Sequence, residues 1–318
     1  SSASRTPLGK YAHVSLLFSL HHYFIESPCT MSVLSSNRRR FLAASGLAAA
    51  GITSLPSSPS WGALLQATPR LQLGIQLYSL RDFPVVQALK DAAKIGFSQV
   101  EFYSGMLPID ASTETINETR KAVTDLGMTI SSHGVNHVGS DRKANEKLFE
   151  FGKALGVKSI TIDPDPDSFD QLDELVKAFD MRVAIHNHGP HHRYNKVVDA
   201  LRAIDKHDQR IGACADLGHY IRSGEKPTEV IRLLQGRLYG IHLKDFSAME
   251  DKAKGVILGQ GHLNVDAVMD ALVAVNFPAD GALSLEYEEN PQNPIADIKA
   301  CFAVAESSVE RVNKAAGT

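Results

Sequence analysis

Residues 182–219 hold the run RVAIHNH (182–188), a stretch VVDALRAID (197–205) and a second run, IGACADLGH (211–219). Each run opens as an apolar string and closes on ionisable side chains. Short apolar runs of this length read as strands buried on both faces, the condition of a parallel sheet covered by helices. The stretch between them repeats apolar residues at three- and four-residue spacing, the period of a helix face. The unit is therefore strand, helix, strand.

The same rhythm extends in both directions. Further candidate strands are LGIQLYSL (73–80), SQVEFYS (98–104), MTISSHG (128–134), SITIDP (159–164), LYGIHLKD (238–245) and ALSLEYEE (282–289). Helical patterns such as VVQALKDAAKIGF, ANEKLFEFGKALGV, FDQLDELVKAFD and NVDAVMDALVAVNF separate them. Gly96, Gly127, Gly156 and Gly236 fall where those helices should end, as capping glycines do. Eight strand–helix units in one stretch of this size predict an α/β fold of the (β/α)8 TIM barrel type. An open doubly wound sheet is the competing arrangement, but QLYSLRDFP after the first strand is no glycine-rich phosphate loop.

Composition bounds the function. The 318 residues carry a formal net charge of −3, with 33 basic and 36 acidic side chains intermixed. Such a balance offers no field to hold a polyanion, so nucleic acid is not the expected partner. Cys29, Cys214 and Cys301 lie far apart without CxxC spacing, which points to neither a disulfide framework nor a thiolate zinc site.

The N-terminal region differs in kind. NRRRFLAASGLAAAGITSL places Arg38, Arg39 and Arg40 before a short Ala/Gly/Leu stretch, and PSSPSWGA follows. A charged head, an apolar middle too short to span a bilayer and a small-residue exit describe an export signal. It resembles the twin-arginine signal, matched by Arg38, Arg39, Phe41 and Leu42. The expected division is an upstream extension at 1–30, the signal peptide and linker at 31–66, disordered or cleaved, and the barrel at 67–318, with Met31 as initiator. Export to the periplasm by the twin-arginine machinery follows, with no stable membrane span after processing.

Barrels of this type build their sites at the C-terminal ends of the strands, and there the unusual side chains collect. Glu101 and Tyr103 end the second strand region, His133 the third, Asp163 and Asp165 the fourth, His186 and His188 the fifth. Asp216 and His219 end the sixth, His242, Lys244 and Asp245 the seventh, Glu286 and Glu288 the eighth. A single histidine there is ordinarily a hydrogen-bonded structural residue. So many ionisable groups at one end of an apolar barrel would each cost several kcal/mol unless paired, solvated or metal-bound. Imidazoles beside carboxylates suit one divalent ion of borderline hardness, Mn²⁺, Co²⁺, Zn²⁺ or Fe²⁺, with Mg²⁺ less well matched. Alternation pairs His186 with His188, His242 with Lys244, and Glu286 with Glu288 on common faces.

DLGHY (216–220), IHLKDF (241–246), LGQGHLNVDAVMDAL (258–272) and LSLEYE (283–288) resemble the xylose isomerase-like barrel superfamily of sugar isomerases and epimerases, over about residues 71–313. The superfamily also includes inosose dehydratases and endonuclease IV. The resemblance implies one divalent metal held by a ligand from each of strands five to eight, the last three being Asp216, His242 and Glu286. It places His219 on a histidine that touches substrate or a second metal. At the fifth strand many relatives carry Glu-Asn-His, where this chain has His186, Asn187 and His188. His186 is then the fourth ligand or, like His188, a base, and a symmetric two-glutamate epimerisation is not expected.

The expected function is a metal-dependent sugar isomerase or epimerase that removes a proton next to a polarised carbonyl. Glu286, His188 and His186 are the catalytic candidates, and Glu101, His133, His219 and Lys244 the contacts to sugar hydroxyls. A keto-sugar dehydratase or lyase, and an exported sugar-binding barrel without catalysis, are the alternatives. An endonuclease, with Asp245 and His262 as extra ligands, conflicts with the net charge and with export. Such barrels commonly pair, which makes a homodimer one arrangement open to this chain, while the sequence leaves the oligomeric state open.

Overall fold

The computed structural model describes residues 71–316. The expected extension, the export signal with Arg38, Arg39, Phe41 and Leu42, and Cys29 lie outside the described residues. No helix among the described residues is long and apolar enough to cross a membrane.

The strands are β1 (Gly74–Gln76), β2 (Gln99–Phe102), β3 (Thr129–His133), β4 (Asn136–Val138), β5 (Ser159–Pro164), β6 (Arg182–His186), β7 (Ile211–Asp216), β8 (Leu238–Leu243), β9 (Asp245–Phe246), β10 (Gly255–Val256) and β11 (Ala282–Leu285). Nine of them form one sheet in the order β3-β2-β1-β11-β8-β7-β6-β5-β4, parallel throughout. Its two ends, β3 and β4, are halves of the same run, interrupted only at Gly134 and Val135. The sheet therefore begins and ends on the third strand region and curls round eight positions, each one expected from sequence. Short β9 and β10 pair antiparallel beyond the barrel.

Helices α1 (Val85–Ile95), α2 (Thr113–Asp125), α3 (Arg142–Leu155), α4 (Phe169–Phe179), α5 (Val197–Ile204), α6 (Leu217–Arg222), α7 (Pro227–Leu233), α8 (Val265–Ala274) and α9 (Ile295–Ala316) fill the connections. Their starts are chemically marked: Ser112 accepts from the Thr115 amide, and Asp141 from the Lys143 and Ala144 amides. Gly156 ends α3 at φ 85°, a left-handed conformation that favours glycine.

Several strands stop earlier than their apolar runs. After β1, Leu77–Leu80 turn into a 3₁₀ helix because the Gln76 side chain accepts from the Tyr78 amide. After β7, Asp216 Oδ1 accepts from the His219 amide and starts α6 at once. The strand ends are thereby closed by polar side chains that also belong to the site.

Candidate metal centre

His186 is the last residue of β6, Asp216 the last of β7, and His242 lies opposite Asp216 in register on β8. Glu286 follows β11, held by its amide donating to the Leu243 carbonyl at 3.1 Å.

Four donor atoms converge. His186 Nε2 and His242 Nδ1 are 3.1 Å apart, and His242 Nδ1 is 3.1 Å from Glu286 Oε2. Asp216 Oδ2 lies 3.7 Å from His186 Nε2 and 3.9 Å from His242 Nδ1. Metal–ligand bonds of about 2.0–2.1 Å in a tetrahedron give donor separations of about 3.3 Å. The four residues fit one divalent ion, and all are buried. Asp216 Oδ2 and Glu286 Oε2 are buried, and the cation that faces both of them among the described residues is the Lys244 ammonium.

Charge points the same way. Glu101, Asp216 and Glu286 are three buried carboxylates, and among the described residues Lys244 is the buried lysine beside them. Negative charge therefore exceeds positive charge at the site when both imidazoles are neutral, the condition in which a divalent ion is favoured. Lys244 Nζ stands 3.0 Å from Asp216 Oδ2, 2.6 Å from Glu286 Oε2 and 2.7 Å from Glu288 Oε1. Burial opposes the Asp216 charge, but His219 and Lys244 beside it hold that carboxyl well below its ordinary range. Glu286 is likewise lowered, against its burial, by Lys244 and His242. Burial disfavours a charged His242, yet the Cys214 sulfur and the Glu286 and Glu101 carboxylates outweigh it and raise its pKa well above the usual range.

The local sequence explains the geometry. Asn187 accepts from the Asp216 amide at 2.7 Å and donates to the Asp216 carbonyl at 2.9 Å, tying the ends of β6 and β7 together. That is the work of the middle residue of His-Asn-His. A Cβ on Gly218 would come 2.6 Å from Lys244 Cγ, so glycine there lets α6 close over the lysine. Asp245 is structural: its carboxylate accepts from the amides of Phe246, Gly259, Gly261, His262 and Leu263 at 2.8–2.9 Å. The Lys-Asp and Gly-x-Gly segments are thus two halves of one device that folds the loop after β8.

The structure places two of the sequence candidates inside the barrel. Glu101 does not face the barrel mouth; it is wholly buried in the barrel interior, accepting from Thr161 Oγ1 at 2.9 Å, Ser284 Oγ at 2.7 Å and His242 Nε2 at 3.1 Å. His133 is also wholly buried, with Nε2 on the Leu107 carbonyl at 2.8 Å and its ring against Phe151. Neither is among the residues that line the pocket at the mouth. Lys244 has its ammonium engaged by three carboxylates, as above.

His188 and His219 do reach the mouth. They line a pocket of about 390 Å³ together with His186, Glu286 and Glu288, and Gln76, Tyr78 and Tyr103 form another wall. This lies in the size range of about 300–1,000 Å³ typical of small-molecule sites. Burial pushes both imidazoles down to about 3, so both are neutral near pH 7. His192, not singled out in sequence, stands beside His188 with ring centroids 4.5 Å apart.

Residues 89–303 match the family described as xylose isomerase-like TIM barrel. This chain belongs to that family. Among its curated relatives, inosose dehydratase of Clostridium botulinum (strain Eklund 17B / Type B) is 26% identical over 143 residues, 39% of this chain and 47% of the relative. The 3-oxo-isoapionate decarboxylase of Pectobacterium atrosepticum is 34% identical over 80 residues, 23% of this chain and 29% of that protein. The match thus spans about half or less of these relatives. Among solved structures, an uncharacterised protein from Parabacteroides distasonis is 26% identical with a TM-score of 0.59, covering 75% of this chain and 99% of that one. The 3-keto-D-glucoside 4-epimerase of E. coli, 17% identical, superposes with a TM-score of 0.61 over 74% and 99% of the two chains and shares the fold.

Proposed function

We propose that this member of the xylose isomerase-like family is a divalent-metal-dependent isomerase or epimerase acting on a ketose or keto-sugar. The observation that carries the reading is the convergence of His186 Nε2, Asp216 Oδ2, His242 Nδ1 and Glu286 Oε2 at the floor of a sugar-sized pocket. Bound there, a divalent ion supplies Lewis acidity to a carbonyl oxygen and stabilises charge that develops on it.

The protein's own groups do the rest. His188 and His219, both neutral, line the pocket wall, where a ring nitrogen is placed to take a proton from the carbon next to the carbonyl. Lys244 holds Asp216 and Glu286 in place and adds positive charge beneath the pocket. With His186 in place of a carboxylate, proton transfer runs from one side. Return of the proton to the neighbouring carbon gives isomerisation. Loss of a β-leaving group gives dehydration or lysis, a second reading favoured by the likeness to inosose dehydratase.

The test is elemental analysis of protein purified without chelator, followed by incubation with keto-sugars in D₂O. About one or more equivalents of a divalent transition metal, and metal-dependent loss of a C–H signal, are expected. No metal after reloading, or no exchange with any keto-sugar, would leave a binding barrel.

Export by the twin-arginine route from Met31 is proposed alongside, on Arg38, Arg39, Phe41 and Leu42. N-terminal sequencing of periplasmic protein tests it: a mature start before residue 71 is expected, and a cytosolic, uncleaved product would remove it.

A further inference from the structure

A second cluster lies beside the first and shares no residue with it. Asp163 sits in β5, and His188 and His192 lie in the segment between β6 and α5. Each offers one ligand atom within 4.8 Å of the other two.

The cluster is poorly explained as a hydrogen-bonded group. His192 Nε2 is 3.4 Å from Asp163 Oδ2, beyond the roughly 2.7–2.9 Å of a good charge-assisted bond. It is close to the separation of two ligands on one ion. Asp163 Oδ1 and His188 Nδ1 are buried with no hydrogen-bond partner. The neighbouring cation is spoken for, because Arg193 Nη1 goes to Asp165 Oδ1 at 2.7 Å and to the Pro164 carbonyl. Two imidazoles and one carboxylate gathered in this way form a donor set that holds a divalent transition metal and leaves positions open.

We propose that Asp163, His188 and His192 bind a second divalent cation of the zinc, cobalt, manganese or iron class at the rim of the pocket. Three half-buried ligands bind more weakly than four buried ones, so this site fills after the first. Binding through His192 Nε2 fixes the ring proton on Nδ1 and gives up the long 3.3 Å approach of the Tyr194 amide. Since His188 lines the pocket, the open positions are placed for sugar hydroxyls. With His188 committed, His219 is the free imidazole left for proton transfer.

The experiment is calorimetric titration of the metal-free full chain with Zn²⁺, repeated with Co²⁺ by visible spectroscopy. Wild type should take up two equivalents in two steps. Asp163→Asn and His192→Gln should each weaken the second step at least tenfold and leave the first, while His242→Ala should lose the first and keep the second. Matching circular dichroism spectra and thermal midpoints show that the variants fold. A single equivalent in wild type, or a second step unchanged in both Asp163→Asn and His192→Gln, would overturn the second site. A first step unchanged in His242→Ala would count against the four-residue centre instead.

Discussion

Glu101 Oε2 accepts from His242 Nε2 at 3.1 Å, while His242 Nδ1, across the same ring, faces Glu286 and His186. The carboxylate thereby settles the tautomer: the proton belongs on Nε2, and the Nδ1 lone pair is left for a metal. Ser284 Oγ and Thr161 Oγ1 also donate to Glu101, and Ser132 Oγ reaches Thr161 Oγ1 at 3.1 Å. A polar layer inside the barrel thus orients a ligand above it.

Replacing Glu101 by Gln keeps the shape but removes the charge that favours this tautomer. Loss of such an outer carboxylate costs about 10–100-fold in metal affinity. Competition against a chromophoric chelator should show a fall of that size in Glu101→Gln, measured on protein that circular dichroism shows to be folded. Affinity equal to wild type would mean that Glu101 serves packing only.

Metal uptake should release protons. In the metal-free protein the carboxylates around His242 raise its pKa, which favours the protonated imidazole. An ion on Nδ1 must displace that proton, so apparent affinity rises with pH, by about tenfold per unit for each proton released, and levels off above the raised pKa. Titrations at several pH values test the sign. Affinity independent of pH from about 6 to 8 would show that His242 is already neutral.

The Asp245 loop makes a prediction about stability rather than chemistry. Five amides converge on one buried carboxylate, and hydrogen bonds to a charged group contribute about 1.5–3 kcal/mol each. Asp245→Asn turns an amide group toward those donors and should cost about 3 kcal/mol or more in urea unfolding. Gly261→Ala should be as harmful, because a Cβ there would strike the Phe246 carbonyl and lie 2.5 Å from Asp245 Oδ1. Loss below about 1 kcal/mol in both would show that the loop can fold without the carboxylate.

The eight strand positions are legible because apolar runs and helical periods alternate without interruption, and Asp216, His242 and Glu286 because each ends such a run. The depth of Glu101 and His133 in the barrel is not legible in the sequence, for a physical reason. A sequence shows that a polar residue is on a strand, but not whether it lies in an inner layer of the barrel or at its mouth. Glu101 lies one layer down, paired with the His242 ring, and His133 turns to the Leu107 carbonyl. His192 carries no signal at all, since it sits in an irregular segment where neither period applies. Asn187 is visible as an odd polar residue, but its grip on the Asp216 backbone depends on the register of β6 and β7.

In the proposed centre, His186 would set which metal is preferred. Two imidazoles and two carboxylates favour borderline ions such as Zn²⁺ and Co²⁺ over Mg²⁺, which prefers oxygen alone. His186→Ala removes one of four ligands and should weaken the first site strongly. His186→Glu should instead keep it and shift selectivity toward Mn²⁺ and Mg²⁺. It also adds a fourth buried carboxylate beside Glu101, Asp216 and Glu286, so the metal-free variant should unfold more easily than wild type and regain stability on loading. Thermal midpoints with and without each ion measure both effects together. A His186→Glu variant with unchanged metal preference would place His186 outside the coordination sphere and return it to the role of a base.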